Sequence, residues 1–212
     1  NTYDYELEFF ILENDSSDLS THMIERFMKN KKGKFISENV QWNRDLRSGI
    51  TMERGEYMSK LRNHLKNIHG TLSSKYTVVV DTDVYFDVHC IQKLIDRITD
   101  GVAMSASFGN DWSIMTSLGC DHYYDTLAYI SGEGISYKET NNKCLFSGCK
   151  LCEQYVKGKK LYQASDKIIN VQSAFGGLVV LPTEYYNAVQ WEPTICEHHG
   201  FCKHLLNFGK II

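Results

Sequence analysis

The stretch Tyr76-Thr77-Val78-Val79-Val80-Asp81-Thr82-Asp83-Val84-Tyr85-Phe86 decides how the chain is read. Three consecutive valines after Tyr-Thr predict a buried parallel strand, apolar on both faces. The strand then ends in two carboxylates separated by one residue. In an open α/β sheet, ligands bind outside the carboxyl ends of the strands, so Asp81 and Asp83 fall where chemistry is expected. Asp-x-Asp there sets two hard oxygen ligands beside one pocket. Such a pair suits a Mg²⁺ or Mn²⁺ that keeps open positions for phosphate oxygens.

Other readings compete for these residues. As ordinary strand-end turn residues, their charges would simply be solvated. A calcium loop of the EF-hand type fails because its sixth position, where Gly is needed, holds Phe86. Aspartate-nucleophile phosphatases of the haloacid dehalogenase type also feed an apolar strand into Asp-x-Asp. They open the chain with that motif, whereas 80 residues precede Asp81 here. A metal site for a nucleotide-sugar diphosphate fits better.

Composition narrows the class. With 212 residues, 42% hydrophobic and 12% aromatic, the chain can bury the core of one α/β domain and is not disordered. Two prolines and no Ser/Gly-rich run leave no linker, so residues 1–212 read as a single domain. A net charge of −3 gives no electrostatic footprint for nucleic acid. No apolar run approaches the roughly 18 residues of a membrane span, and no signal peptide is visible. Seven cysteines, an odd number, read as free thiols in a reducing compartment, hence the cytoplasm. Cys144, Cys149 and Cys152 offer zinc three soft ligands, but no fourth stands at finger-like spacing.

In chain order, Leu7 to Leu12 predicts the first core strand. It breaks into Glu13-Asn14-Asp15-Ser16-Ser17-Asp18, a polar turn whose carboxylates and hydroxyls suit a base or ribose, or simply cap the next helix. Ser20 or Thr21 is the expected cap, followed by Met23, Ile24, Phe27 and Met28 at helical spacing. Phe35-Ile36-Ser37 is a short strand, and Gln41 to Thr51 a loop. Met52 to Leu65 predicts a helix with Tyr57, Met58, Leu61 and Leu65 as its apolar stripe. Its cations Arg54 and Arg62, with Lys60 nearby, precede the Asp-x-Asp strand and could reach a diphosphate; a solvated charged face is the alternative.

Beyond Asp83, Val88 to Ile98 predicts a helix and Val102 to Ala106 a strand. Gly109 to Trp112 reads as a turn on the ligand side, and the run from Asp121 to Ala128 is dense in groups that bind sugar hydroxyls. Ser131 to Gly158 reads as a long excursion, in the manner of a functional flap. Two apolar segments between Lys167 and Pro182 are broken by Gly176-Gly177, which lets backbone approach a ligand or accommodates a bulge. A short helix follows around Tyr185 to Val189. Glu197-His198-His199 could supply metal ligands or acid/base groups, or merely start a polar helix. Gly209 to Ile212 reads as the start of a further strand, which implies a chain continuing past Ile212.

Taken together, these blocks resemble a GT-A-fold glycosyltransferase. Glu13 to Asp18 resembles the acidic Ser/Asp turn after the first strand of that superfamily. The helix bearing Arg54, Lys60, Arg62 and Asn63, followed by the apolar strand and Asp81-Thr82-Asp83, resembles the arrangement in fungal capsule mannosyltransferase-like proteins. Tyr124-Asp125-Thr126 and Ser173 to Leu178 match short blocks of the same group. Glu197-His198, with Gly209 in trail, is similar to the Glu-Asp motif and its trailing Gly. Over nearly its whole length the chain resembles a glycosyltransferase domain encoded by large chlorella viruses.

The resemblance implies a single Rossmann-like GT-A domain with a central, mostly parallel mixed sheet flanked by helices. It implies transfer of a hexose or deoxyhexose from a UDP-sugar to a glycan or glycoprotein acceptor, with Mn²⁺ or Mg²⁺, in the host-cell cytoplasm if the source is viral. Asp83 would ligate the metal, and Asp81 would contact ribose or complete the coordination. Arg54 and Arg62 would balance diphosphate charge. Glu13, Asn14 and Asp18 would lie near base and ribose, and Asp125, Gly176 and Gly177 near sugar and acceptor. One departure matters: where inverting members carry Glu-Asp, this chain has Glu197-His198. Glu197 could still be the base, or His198 could bind metal or diphosphate as in retaining members. The missing Asp favours retention of configuration. A carbohydrate-binding module would explain the aromatics but not Asp-x-Asp at the end of a buried strand.

Overall fold

The structure, a computed structural model, describes residues 5–40, 51–82, 84, 86–106, 127–132, 134 and 168–212. Asp83, Asp125, the Gly109–Trp112 turn, Cys144, Cys149, Cys152 and nearly all of the Ser131–Gly158 excursion lie outside the described residues. Within them the chain runs β1 (Glu8–Asn14), α1 (Ser20–Met28), β2 (Lys32–Glu38), α2 (Met52–His69) and β3 (Tyr76–Val80). It continues through α3 (His89–Asp96), β4 (Val102–Ala106), β5 (Ile130–Ser131), β6 (Val171–Ser173) and β7 (Leu178–Pro182). The last elements are α4 (Thr183–Ala188), α5 (Glu197–Leu205) and β8 (Lys210–Ile211).

The α/β class expected from sequence is what the chain adopts, with helices flanking a mixed sheet. Strand direction differs from expectation. Among the described residues a six-stranded sheet runs β3-β7-β4-β8-β6-β5, and only β4 and β8 are parallel neighbours in it. β1 and β2 form a separate parallel pair. β3, expected to be a buried parallel strand, stands at the sheet edge among the described residues, antiparallel to β7, with Val80 40% exposed.

The reason is visible in β7, whose Leu178-Val179-Val180-Leu181 is wholly buried. Successive side chains of a strand point to opposite faces. Val179 and Leu181 enter the main core with Phe201 and Leu205 of α5, while Leu178 and Val180 pack on Cys90 and Leu94 of α3. An unbroken apolar run reports two covered faces, and an antiparallel central strand meets that condition as well as a parallel one. Val78 and Val79 of β3 divide between the same two clusters.

α2 explains how the site is built. The Thr51 hydroxyl accepts from Arg54 N at 3.2 Å, and Gly70 closes the helix by donating to Lys66 O at 3.0 Å. Its expected apolar stripe does not enter the core: Met58, Leu61 and Leu65, with Arg54 and Arg62, line a cavity instead. The packed face carries Gly55, Ser59, Asn63 and Lys66, a helical spacing of small and polar residues. They meet backbone polar groups of the segment before α5. Ser59 donates to Glu192 O at 2.9 Å, and Asn63 donates to Trp191 O at 2.8 Å and accepts from Trp191 N at 2.9 Å. Lys66 Nζ donates to Tyr186 O and Val189 O above the Tyr186 ring; burial pushes its pKa down to about 8.

Candidate active site

A cavity of about 630 Å³ opens between β1, α2 and the end of β3, a volume suited to a small-molecule ligand. Phe10, Ile11 and Leu12 of β1 form one wall, and Arg54 and Arg62 of α2 another. Val80, Asp81 and Thr82 close the end of β3, while Cys196, Glu197 and His198 enter from the start of α5. Among the described residues Arg54 makes no ion pair.

Arg62 organises the charged groups. Its Nε donates to Glu197 Oε1 at 3.1 Å and its Nη2 to Asp81 Oδ1 at 3.2 Å. Nη2 also lies 3.3 Å from His198 Nε2. A guanidinium has only donors, so this geometry assigns His198 Nε2 as acceptor. The guanidinium carbon sits 4.8 Å from the Trp191 ring centroid and 5.3 Å from that of Phe175, both within cation–π range. Phe175 stacks on His198 at 3.9 Å, and Trp191 meets its ring edge-on at 5.4 Å. Asp81 is further held through its backbone N–H, which donates to Gly177 O at 3.0 Å.

Burial sets the protonation states. It pushes the His198 imidazole down to about 3, and the neighbouring Arg62 adds to the shift, so His198 is neutral near pH 7. Burial works against the Glu197 carboxylate, but His198 and Arg62 outweigh it and hold its pKa to about 2. At neutral pH Arg62 is the permanent cation of the group. A carboxylate with so little proton affinity is a poor general base for a hydroxyl.

The sequence-predicted residues separate into groups. Arg54, Arg62, Asp81, Glu197 and His198 converge on one cavity from three elements far apart in sequence. Gly176 and Gly177 are both left-handed, at φ 63 and 79, and they turn the chain so that Gly177 grips the Asp81 backbone. Glu13 is 8% exposed, and its carboxylate accepts from Ser16 N at 2.7 Å, Thr21 Oγ1 at 3.0 Å and Ser37 Oγ at 2.5 Å. Asn14 donates to Tyr57 OH at 3.4 Å, and Asp18 accepts from Ser20 N at 2.8 Å. The cap expected at Ser20 or Thr21 is not formed: the N-cap position falls on Leu19 without a side-chain cap, and Thr21 turns to Glu13. Lys60 leaves the site and pairs with Glu56 at 2.7 Å on the exposed face of α2.

Sequence reasoning missed Asn63, Phe175 and Trp191 as site residues. Each belongs to an ordinary helix, apolar run or loop by local pattern; only the packed structure sets Phe175 and Trp191 against His198 and ties Asn63 to the Trp191 backbone.

The donor set bears on a metal. Cys196, Glu197 and His198 bring ligand atoms within 4.8 Å of one another, but Glu197 and His198 already face the Arg62 guanidinium. Asp81 is the hard oxygen donor at the cavity, with 35% of its side chain exposed. A carboxylate there is the donor type that a hard divalent cation takes.

No curated protein matches the chain. Residues 6–206 match the family model described as Cryptococcal mannosyltransferase 1. That match spans the cavity walls from β1 to α5, and by it the chain belongs to this family of mannosyltransferase-like domains.

Proposed function

We propose that the chain is a metal-dependent glycosyltransferase of GT-A type that moves a hexose or deoxyhexose from a UDP-sugar to a hydroxyl of a glycan or glycoprotein. The single observation that carries this reading is the convergence of Asp81, Arg62, Glu197 and His198 on a cavity that Arg54 also lines. The family match supports sugar transfer, and its description points to mannose as a sugar to test.

In this reading the cavity takes the nucleoside diphosphate. Arg54 approaches the phosphates, and Asp81 with Asp83 holds the metal. A divalent cation there would supply charge neutralisation as the diphosphate leaves. Arg62 keeps Asp81 in place and adds positive charge behind it. Glu197 anchors Arg62 rather than accepting a proton, which agrees with transfer by retention.

Calorimetric titration of UDP, GDP and CMP, each with and without Mn²⁺, tests the reading. UDP binding that requires Mn²⁺ and vanishes in Asp83→Ala is the expected result. GDP binding in its place would move the donor to a GDP-sugar. The absence of metal-linked binding of any of the three would remove the proposal. The anomeric configuration of the product, read by NMR, decides retention, and an inverted product rejects it.

A further inference from the structure

Trp191 is 3% exposed, yet its indole N–H meets no hydrogen-bond acceptor among the described residues. A buried donor without an acceptor costs stability. If packing were the whole role of this side chain, Phe would serve without that cost. What Trp offers beyond Phe is the strongest aromatic face for a cation. The Arg62 guanidinium carbon lies 4.8 Å from the Trp191 ring centroid.

Two helices fix that face. Asn63, next to Arg62 on α2, donates to Trp191 O at 2.8 Å and accepts from Trp191 N at 2.9 Å. This reciprocal pair satisfies both backbone groups of Trp191 and sets its ring beside Arg62. Phe201 of α5 stacks on the ring at 3.9 Å, with the two planes 8° apart. α5 also carries Glu197 and His198, which the Arg62 guanidinium meets. Trp191 thus joins the helix that supplies the cation to the helix that supplies its partners. Neither Asn63 nor Trp191 is among the residues lining the cavity.

We propose that Trp191 and Asn63 are positioning residues of the site: they hold the Arg62 guanidinium where its Nη2 fixes Asp81, and so set where that carboxylate meets a divalent cation. The inference rests on the transferase reading, in which Asp81 helps to hold the metal. Hydrogen bonds to Glu197, Asp81 and His198 direct the guanidinium within its plane. Aromatic faces resist its tilting out of that plane, and Trp191 is the nearer of the two, with Phe175 at 5.3 Å. Groups that orient a metal ligand in this way govern metal affinity without touching the ion.

Two measurements on the 212-residue chain test the proposal. One is the exchange rate of the Arg62 Nε–H proton by NMR. The other is Mn²⁺ binding by electron paramagnetic resonance, counting only the binding that Asp81→Asn abolishes. The Nε–H, donated to Glu197 inside the fold, should exchange slowly in the unmodified chain. Trp191→Leu keeps an apolar side chain but no aromatic face; it should speed that exchange and weaken Mn²⁺ binding about tenfold or more. Trp191→Phe, which restores a face, should recover most of both signals. Asn63→Ala, with every ring retained, should shift both in the direction of Trp191→Leu, and it carries the test if Trp191→Leu does not fold. A merely structural role would lower the melting temperature and leave the Mn²⁺ affinity of the folded variants unchanged. That result overturns the proposal and leaves the transferase reading standing. An unmodified chain that binds no Mn²⁺ removes the transferase reading, and this inference with it.

Discussion

Arg62 Nε stands 3.1 Å from Glu197 Oε1, a contact between residues 135 positions apart. Arg62 keeps 16% of its side chain exposed and Glu197 5%, so both charges have left most of their water. Each therefore depends on the other, and on Asp81, for its stability in the fold.

Removing one partner should cost far more than removing both. Arg62→Ala strands the Glu197 carboxylate and should destabilise by about 3–5 kcal/mol. Arg62→Met combined with Glu197→Gln should recover much of that loss. Urea denaturation of both variants provides the check; a double variant no more stable than Arg62→Ala would contradict the coupling.

Acid should lower stability over two overlapping ranges of pH. The folded His198 pKa lies at about 3, below its usual 6.5, so stability falls as pH drops from about 6.5 toward 3 while the unfolded state takes up the proton. The Glu197 pKa is also depressed, to about 2, so its contribution is complete above the usual carboxylate range and is lost as pH falls from about 4.5 toward 2. Stability curves between pH 4.5 and 7 should flatten in His198→Gln. An unchanged slope there would show that His198 is not held neutral.

Gly55→Ala offers a test of sign. On helix propensity alone Ala is better than Gly by about 1 kcal/mol. A Cβ at Gly55, however, would sit 1.6 Å from Thr194 O, a backbone atom. The substitution should destabilise by about 1–3 kcal/mol and weaken the cavity's ligand binding, because α2 and the segment before α5 must part. Thermal melting gives the direction, and a stabilised variant would refute the contact.

Glu13→Gln separates a structural carboxylate from a ligand-binding one. Three donors already occupy Glu13, from the loop, α1 and β2. The variant should lose about 1–3 kcal/mol of stability while nucleotide affinity at saturating metal holds within twofold. A large affinity loss in a stably folded variant would restore Glu13 to the ligand.

The helices, most strand positions and the Asp81 end of β3 were legible because each rests on local properties: spacing, caps and apolar runs. The cavity was partly legible, since Arg54, Arg62, Asp81, Glu197 and His198 carry charge or ring nitrogens that stand out in sequence. Their partners were not. Trp191 and Phe175 look like core residues and are buried as such, and only the tertiary structure closes their rings on His198 and Arg62 behind the cavity.

By itself the sequence determined the α/β class, the order of elements and the strand that presents Asp81, all consequences of short-range backbone and side-chain preference. Tertiary structure alone decided three things: the antiparallel setting of β3 on β7, the choice of the Gly55–Ser59–Asn63–Lys66 face for packing, and the commitment of Glu197 to Arg62. The reason is common to all three. An apolar run states that a face will be covered and a charge states that it needs a partner, but neither names what covers or pairs with it until distant segments compete for the same space.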